Sequence, residues 1–521
     1  MAIKSLFRSA AKAAPKTTSM NHAGAPAYIL DSPTALAQLA ATGCFGSTFY
    51  VSGQEQLDVV LEHAAQCDAR YVAKAAIYAR ERAFMKDMPA VLLAHLATRG
   101  PEGLVAMKLA FPRVIDNGRM LRNFVQVLRS GQLGRKSLGS APKKAVQRWL
   151  QQRSPMQLFR DSVGNDPSLA DVIRMVHPKP LSDEQRAMFG YLLGKPHDLS
   201  KLPAAVLNYE AWKRGDKSQG VPKVPSRMLT GLPLGKTEWT DIAHRARWHE
   251  TRMNLNTFQR HGVFDDEAMI KLVAKRIGDE DEVRSAKVFP YQLLVAWNST
   301  QGLSTRLSEA LQDAMEHATH NIPELSGHVV ICPDVSGSMQ SPVTGFRSGS
   351  TTAVRCVDVA GLISAALLRK NPLARVLPFE NKVRTLPINP RDSIMSIAGA
   401  LASIGGGGTN CSAPLALLNA EKAKVDVLIY ISDNESWMDA KGRSGWSRGT
   451  EMMSQWMTLK KRNPKAKLVC IDLTPNVHRQ VLQRPDVLNV GGFSDAVFTV
   501  VGQFVQADGA SWTQVIDAAT L

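Results

Sequence analysis

The side chains best suited to chemistry are an aspartate and two serines at alternate positions, Asp334, Ser336 and Ser338, directly after an apolar segment (328–332). One carboxylate and two hydroxyls from a single loop are hard oxygen donors, and such donors suit Mg²⁺, which prefers six oxygen ligands and retains several waters. The spacing indicates a divalent-cation site, although a loop rich in Asp and Ser is also typical of an ordinary turn.

Two further segments supply matching donors. A run of four glycines (405–408) leads to Thr409, and an apolar segment (425–431) ends in Ser432 and Asp433. Ligands of open α/β sheets bind at the carboxyl ends of the strands. We therefore predict one site for Mg²⁺, or another divalent cation, formed by Asp334, Ser336, Ser338, Thr409 and Asp433, with a degenerate empty site as the alternative. Its two carboxylates balance a divalent ion, so the site can still accept an acidic ligand from a partner.

Two carboxylates near a cation could also form a nuclease metal pair or an acid/base pair. Hydroxyls from Ser and Thr dominate this donor set, however, and no general base of suitable kind follows in the motif. We therefore predict no catalytic residues and expect that the chain is not an enzyme.

A second group of residues could bind phosphate. Arg135, Lys136, Lys143, Lys144 and Arg148 fall within 14 residues, and no acidic residue occurs between Asp116 and Asp161. Pro142 can begin a helix, on which Lys144 and Arg148, four residues apart, share one face. A nucleic-acid backbone would meet concentrated positive charge there. A solvated helix face is the alternative interpretation.

Overall composition favours the same class of partner. The chain has 521 residues, 63 Lys or Arg against 46 Asp or Glu, a formal charge of +17 and a pI near 9.6. Residues 1–325 hold 43 of the basic and 31 of the acidic residues, so most of the excess lies there. Such a charge favours polyanions, either nucleic acid or an acidic membrane surface, and we place nucleic acid ahead of the alternative of a soluble protein that merely happens to be basic.

Cysteine spacing and hydropathy indicate the compartment. None of the six cysteines forms a Cys-x-x-Cys pair, which argues against a disulfide framework and a zinc finger and suits a reducing, cytoplasmic location. No apolar run approaches the roughly 20 residues that a membrane span needs. The basic start of the chain (1–25) reads as a disordered arm, with a transit peptide as the alternative.

The residues that must position these groups fall into two patterns. From about 54 to 320, apolar residues recur at intervals of three and four, with proline breaks between segments of 10 to 15 residues. This predicts an α-helical repeat domain of HEAT-like type over 26–325. After residue 325, buried strand-like runs alternate with helical segments, which predicts a doubly wound, Rossmann-like parallel sheet over 326–521.

The joint order of these motifs resembles a known family. The order Asp-x-Ser-x-Ser, Gly-Gly-Thr and a strand ending in Asp is that of the von Willebrand factor A domain with a metal-ion-dependent adhesion site. The whole chain resembles the Ro autoantigen, or TROVE-domain, family. The segments that carry the resemblance are TGCFGSTFYVSGQ (42–54), LRSGQLGRKSLGSAPKKAVQRWL (128–150), DVIRMVHPKP (171–180), RMNLNTF (252–258), VFPYQLLVAW (288–297), GGGGTNCSAPL (405–415), ISDNES (431–436) and GGFSDAV (491–497).

The resemblance implies a bacterial-type member in which helical repeats close into a ring and the A domain joins their ends. It also implies a ribonucleoprotein in noncoding RNA quality control or decay: small Y-like RNA on an outer basic surface, single-stranded 3′ ends of misfolded RNA in a central hole, and an exoribonuclease as a possible partner. By the same resemblance, His177 and Lys179 join the outer surface, and Arg252 and Asn254 line the hole. Without the family, His177 and Asn254 would read as structural hydrogen-bonding residues. The alternative function is a metal-dependent protein-interaction scaffold that acts through the A domain.

Overall fold

The computed structural model describes residues 14–42, 45, 51–286, 288, 290–300, 302–320, 322–343, 354–437, 449–474, 477–492, 495–506 and 512–521. The chain forms two compact units. The sheet unit comprises Met1–His63, Phe289–Tyr291 and Thr319–Val515, and the helical unit comprises Ala64–Val288, Gln292–Ala318 and Ile516–Leu521. This division differs from the predicted boundaries, because residues 14–42 and 51–63 belong with the sheet rather than with the helical unit.

Between residues 32 and 318, the regular elements of the described part of the chain are all helices. Its helices are α1 (Ser32–Thr42), α2 (Gly53–Gln66), α3 (Ala69–Glu81), α4 (Met88–Leu96), α5 (Gly100–Val114), α6 (Gly118–Arg129), α7 (Ser140–Gln151), α8 (Pro155–Asp161), α9 (Leu169–Val176), α10 (Asp183–Leu193), α11 (Ala204–Lys213), α12 (Ser226–Leu229), α13 (Lys236–Arg245), α14 (Trp248–Arg260), α15 (Glu267–Gly278), α16 (Glu280–Ala286), α17 (Pro290–Ser299) and α18 (Thr305–Ala318). Short 3-10 turns occur at Leu199–Lys201 and Val263–Asp265. The three- and four-residue apolar spacing of QLDVVLEHAAQ (56–66), MLRNFVQVLRSG (120–131) and EAMIKLVAKRIG (267–278) predicts helices within a few residues of α2, α6 and α15.

Local capping explains why the helical run breaks where it does. The side chain of Asn117 accepts a hydrogen bond from the amide of Met120 and begins α6. Ser154 and Ser168 open α8 and α9 with capping boxes that satisfy otherwise unpaired amides. Each helix then buries one apolar stripe, as in α6, where Met120, Leu121, Phe124, Val125 and Leu128 are fully buried.

The sheet unit is built on five parallel strands in the order β4-β3-β5-β6-β8. Their bounds are β3 (Val329–Pro333), β4 (Arg375–Val376), β5 (Val427–Ser432), β6 (Lys467–Asp472) and β8 (Val487–Gly491). In register, Val330 lies opposite Leu428, and Leu428 opposite Leu468. The helices between and after the strands are α19 (Cys356–Lys370), α20 (Ile394–Ala402), α21 (Ala413–Ala420), α22 (Glu451–Arg462), α23 (Asp495–Gln506) and α24 (Trp512–Asp517), and Ser338–Gln340 forms a 3-10 turn.

A small antiparallel sheet adds the N-terminal segment to this unit. β1 (Ser19–Met20) pairs with β2 (Pro26–Ile29), and β2 pairs with β7 (His478–Arg479). Tyr28 is buried in the same core as the parallel strands. The prediction of a disordered arm is therefore wrong for residues 14–25, because backbone pairing and burial fix them. Residues 1–13 and most of the predicted family segment at 43–50 lie outside the described residues.

Five of the six cysteines lie in the described part of the chain. Cys67, Cys332, Cys356, Cys411 and Cys470 are free and buried, and Cys44 lies outside the described residues. Among the described helices, none combines the length and the apolar character that crossing a bilayer requires.

Candidate metal centre and basic surface

Asp334 directly follows strand β3, which lies between β4 and β5 in the sheet. Its amide donates to the carbonyl of Ile431 on β5 at 2.9 Å, which extends the ladder by one residue and turns the carboxylate towards the end of the neighbouring strand. Asp334 is fully buried, and burial raises the pKa of its carboxyl group. Burying a carboxylate is costly unless polar groups satisfy it.

Hydroxyls and amides satisfy that carboxylate. The Ser432 hydroxyl donates to Asp334 Oδ2 at 2.6 Å, and the Ser336 amide donates to Oδ1 at 2.9 Å. The hydroxyl oxygens of Ser336 and Ser338 lie 3.3 Å apart. Three of the five predicted ligand residues therefore lie together in one loop. Ser432 was missed, although a serine at the end of an otherwise apolar strand is a usable signal.

Asp433 joins the same cluster from β5. Burial and then the neighbouring Asp334 carboxylate raise the pKa of Asp433, while a hydrogen bond with Ser338 opposes the shift. Its Oδ1 accepts the amide of Glu435 at 3.2 Å. Two buried carboxylates that repel each other hold protons above their ordinary range, and a cation between them would remove that repulsion.

The glycine run places Thr409 beside these loops. The Gly337 amide donates to the carbonyl of Gly407 at 2.8 Å, an approach that leaves little room for larger side chains. The buried Thr409 accepts, at its carbonyl, the amide of Trp437 at 3.1 Å. Thr409 is thus held against the segment that follows Asp433. The donor set is two carboxylates and several hydroxyls, all oxygen, which fits Mg²⁺ better than a metal that prefers nitrogen or sulfur.

The predicted basic stretch forms α7 and the loop before it. Lys136, Lys144 and Arg148 are exposed, and Lys143 is half-buried. The helix begins at Ser140 after Gly139, whose φ of 77° favours glycine. Val146, Trp149 and Leu150 bury the opposite face, so Lys144 and Arg148 point outward.

His177 and Lys179 lie beside α7. The Gln147 side chain donates to the carbonyl of Val176 at 2.6 Å, and the Gln151 side chain donates to that of Lys179 at 2.9 Å. His177 ends α9 in the left-handed conformation, with φ of 52°, and is exposed. The structure therefore brings together the predicted basic residues of two separate sequence segments.

Arg135 differs from the prediction. Its guanidinium donates to the carbonyl of Ser137 at 2.8 Å and to that of Ala97 at 3.3 Å. A guanidinium with two carbonyl partners stabilises the loop before α7, so we remove Arg135 from the outward-facing set. Arg252 and Asn254 are likewise engaged, because Arg252 donates to the carbonyl of Gln292 at 2.9 Å and Asn254 to that of Glu250 at 2.9 Å.

A second basic cluster in the helical unit was not predicted. Loss of solvation and the charges of Arg119, Arg80 and Arg227 lower the pKa of Lys86. Arg80 is paired with Asp116 and Arg119 lies 4.0 Å from Asp87, whereas Lys86 and Arg227 are exposed. Because these residues span positions 80–227, no local sequence signal brings them together.

Comparison with known proteins identifies both parts of the chain. A family model described as the TROVE domain matches residues 252–344, and one described as the Ro60 vWA domain matches residues 328–505. In both regions the chain is similar to the TROVE-domain, or Ro, family. The predicted fold class, a helical domain with a von Willebrand A-type parallel sheet, is confirmed.

Individual relatives show the same similarity. The RNA-binding protein RO60 of Deinococcus radiodurans is 25% identical over 94% of this chain and 95% of its own length. The RNA-binding protein RO60 of Caenorhabditis elegans is 26% identical over 33% of this chain and 28% of its own length. The crystal structure of the Deinococcus radiodurans RO (RSR) protein, 21% identical, aligns over 91% of this chain and 99% of that one with a TM-score of 0.64, which shows a shared fold.

Proposed function

We propose that this chain is a member of the Ro family that binds noncoding RNA in the cytoplasm and acts in RNA quality control or decay as a binding protein rather than an enzyme. The observation that carries the proposal is the exposed face of α7. There Lys144 and Arg148 stand beside His177 and Lys179, in a stretch of sequence that lacks acidic residues. Both curated relatives are named RNA-binding proteins, which supports the same function.

The basic face suits a structured RNA such as a Y-like RNA. Exposed lysine and arginine side chains contact phosphates without reading base edges, so they recognise the backbone of a folded RNA rather than its sequence. Lys136, Lys143, Lys144 and Arg148 supply charge, and His177 and Lys179 extend the surface. Binding should release counterions and weaken as salt rises.

The second basic cluster suits a different RNA form. Lys86 and Arg227 are exposed residues, and loss of solvation, followed by the surrounding positive charges, lowers the pKa of Lys86. We assign single-stranded 3′ ends of misfolded RNA to this cluster, with Arg252 and Asn254 as neighbouring candidates by family resemblance. A phosphate at Lys86 would relieve the repulsion among the cations.

The metal centre supports a second function. Asp334, Ser336, Ser338, Thr409 and Asp433 are proposed to hold one Mg²⁺, either directly or through water, and the ion would leave a position for an acidic side chain of a partner such as an exoribonuclease. The buried pair of carboxylates favours this protein-interaction role. It can coexist with RNA binding, since the two sets of residues belong to separate units.

A binding measurement tests the main proposal. Fluorescence anisotropy with a folded hairpin RNA and with an unstructured oligonucleotide, each at several salt concentrations, should give affinities that fall steeply with salt. An equal affinity for RNA and for an uncharged polymer, or no salt dependence, would rule the proposal out. Intact RNA after long incubation with the protein and Mg²⁺ supports the non-enzymatic role, whereas accumulating fragments in a nuclease-free preparation contradict it.

A further inference from the structure

Two histidines and a glutamate converge in the sheet unit, apart from the predicted metal residues. His22 Nδ1 lies 3.0 Å from Glu435 Oε1, and His478 Nδ1 lies 4.0 Å from the same oxygen. One ligand atom from each of the three residues lies within 4.8 Å of the other two. The imidazole rings meet edge to face with centroids 4.7 Å apart. Three chain segments far apart in sequence therefore present donors to one point.

The separations match a transition-metal site. Zinc binds imidazole nitrogen and carboxylate oxygen at about 2.0–2.2 Å, which places tetrahedral ligands roughly 3.4 Å apart. The distances of 3.0 and 4.0 Å lie on either side of that value, so small side-chain rotations would complete the geometry. Two imidazoles and one carboxylate are also the ligand set of open zinc sites, in which water occupies the fourth position.

The segments that carry these side chains are held in place by other residues. Asn21, next to His22, is buried and donates to the carbonyl of Ser436 at 2.8 Å. On the other side, Gln480 donates to the carbonyl of Asn434 at 3.1 Å. The turn before β2 and the strand β7 are thus both fixed to the segment that contains Glu435. A site whose supports are already bonded binds a metal with little reorganisation.

Burial and access also suit a bound cation. The Glu435 side chain is fully buried, His478 is 13% exposed and His22 is 30% exposed. A buried carboxylate needs a compensating positive charge. The exposed edge of His22 leaves a path for the ion and for a water ligand.

We propose that His22, Glu435 and His478 form a second metal site, which binds Zn²⁺ or a similar nitrogen-preferring divalent ion. This site goes beyond the proposed RNA-binding function and beyond the oxygen-rich centre at Asp334. Imidazole ligands select zinc, cobalt or nickel, whereas Mg²⁺ prefers oxygen, so the two centres would discriminate between metals. Because Glu435 donates its amide to Asp433 Oδ1, the zinc would also stabilise the loop of the Mg²⁺ centre.

Metal titration of the full chain tests the proposal. After EDTA treatment and dialysis into buffer with millimolar Mg²⁺, ZnCl₂ and CoCl₂ are titrated separately. We expect one tightly bound Zn²⁺ per chain by elemental analysis, a higher Tm with Zn²⁺, and the visible absorption of tetrahedral cobalt. H22Q and H478Q should each lower zinc affinity by more than the roughly 10- to 100-fold that loss of a second-shell partner costs.

The matched control is H328Q, since His328 is an exposed histidine in the same unit. It should bind zinc as the unchanged chain does. Circular dichroism of the metal-free variants establishes that each is folded, and H22Q, whose side chain lies in a turn, serves if H478Q does not fold. Absence of stoichiometric zinc, or unchanged zinc affinity in folded H22Q, would overturn the proposal and leave His22 and Glu435 as an ion pair. Neither result would affect RNA binding.

Discussion

The Ser432 hydroxyl donates to Oδ2 of Asp334 at 2.6 Å, at the point where two adjacent parallel strands end. The Ser336 amide donates to Oδ1, and each carboxylate oxygen has more than one lone pair, which leaves acceptor capacity for a cation. The second carboxylate, Asp433, has a pKa that burial and Asp334 raise well above its usual value. The repulsion between the two carboxylates is a penalty to stability that a bound cation would relieve.

The first prediction concerns this penalty. In Asp433→Asn, Oδ1 can still accept the Glu435 amide, but one of the two repelling carboxylates is lost. We expect the Tm without divalent ions to be equal or higher. The unchanged protein should gain about 2.7 kcal/mol when free Mg²⁺ is 100 times its Kd, and the variant should gain nothing. Thermal unfolding with and without Mg²⁺ measures both. A variant that keeps its Mg²⁺-dependent rise in Tm would show that the ion binds elsewhere.

The second prediction concerns the face of α7. Replacing Lys143, Lys144 and Arg148 together by Gln removes three charges and keeps helix propensity. If all three contact phosphate, the slope of log affinity against log salt should fall by about 2–3, since each contact contributes about 0.7–0.9. Anisotropy with one hairpin RNA across a salt series gives the slope.

Its matched control removes the same charge from the sheet unit. Lys424, Lys461 and Lys465 are all exposed, and their replacement by Gln should change the slope by less than one contact. Equal slopes for the two triple variants would mean that only net charge matters, and the surface would have to be sought elsewhere.

Arg135 provides a third, contrasting prediction. Since its guanidinium bonds two backbone carbonyls, Arg135→Gln should lower the free energy of unfolding by about 1–2 kcal/mol. The salt slope for RNA should stay the same. Urea denaturation and the anisotropy series together separate the two roles. A variant of unchanged stability whose log affinity depends less steeply on log salt would show that Arg135 contacts RNA.

A fourth prediction concerns pH and the buried His95 of α4. Burial, and then the charge of Arg99, lower the pKa of His95 to about 4. In the unfolded chain His95 takes up a proton near pH 6.5, whereas in the folded chain it does so only near pH 4. The contribution of His95 to folding stability is therefore complete above about pH 6.5 and is lost as the pH falls towards 4. The loss should reach at most about 3 kcal/mol.

The variant His95→Met isolates this residue from the other titrating groups. The difference in unfolding free energy between the unchanged protein and the variant should shrink or change sign as pH falls from about 7 to about 4.5. Urea midpoints at four pH values provide the measurement. A difference that stays constant over this range would refute the assignment to His95.

Much of this architecture was predictable because its signals are local. Periodicity located helices such as α6 and α15, and the apolar runs before Asp334 and Asp433 located the two central strands. The convergence of Asp334, Ser336, Ser338 and Asp433 followed from a rule about strand ends, which holds whatever lies between the strands in sequence.

The features that were missed depend on distant pairing. β1 and β2 together contain six residues, too few for periodicity to be detected, and β2 is fixed by β7. The cluster around Lys86 draws on Arg119 and Arg227, which are separated by more than two helices. The side chain of Arg135 is of a type that binds phosphate. Only its hydrogen bonds to backbone carbonyls, which the sequence does not reveal, show that it stabilises the loop before α7.

The pairing of Ile29 with His478 also has a consequence for synthesis. At about 5–20 residues per second, a ribosome needs roughly 20 to 90 seconds to make the intervening chain. The N-terminal hairpin must wait through that interval with its β2 edge and Tyr28 uncovered, while the helices from α3 to α16 emerge in full and can pack. During translation, the earliest segment is thus the one most in need of protection by a chaperone.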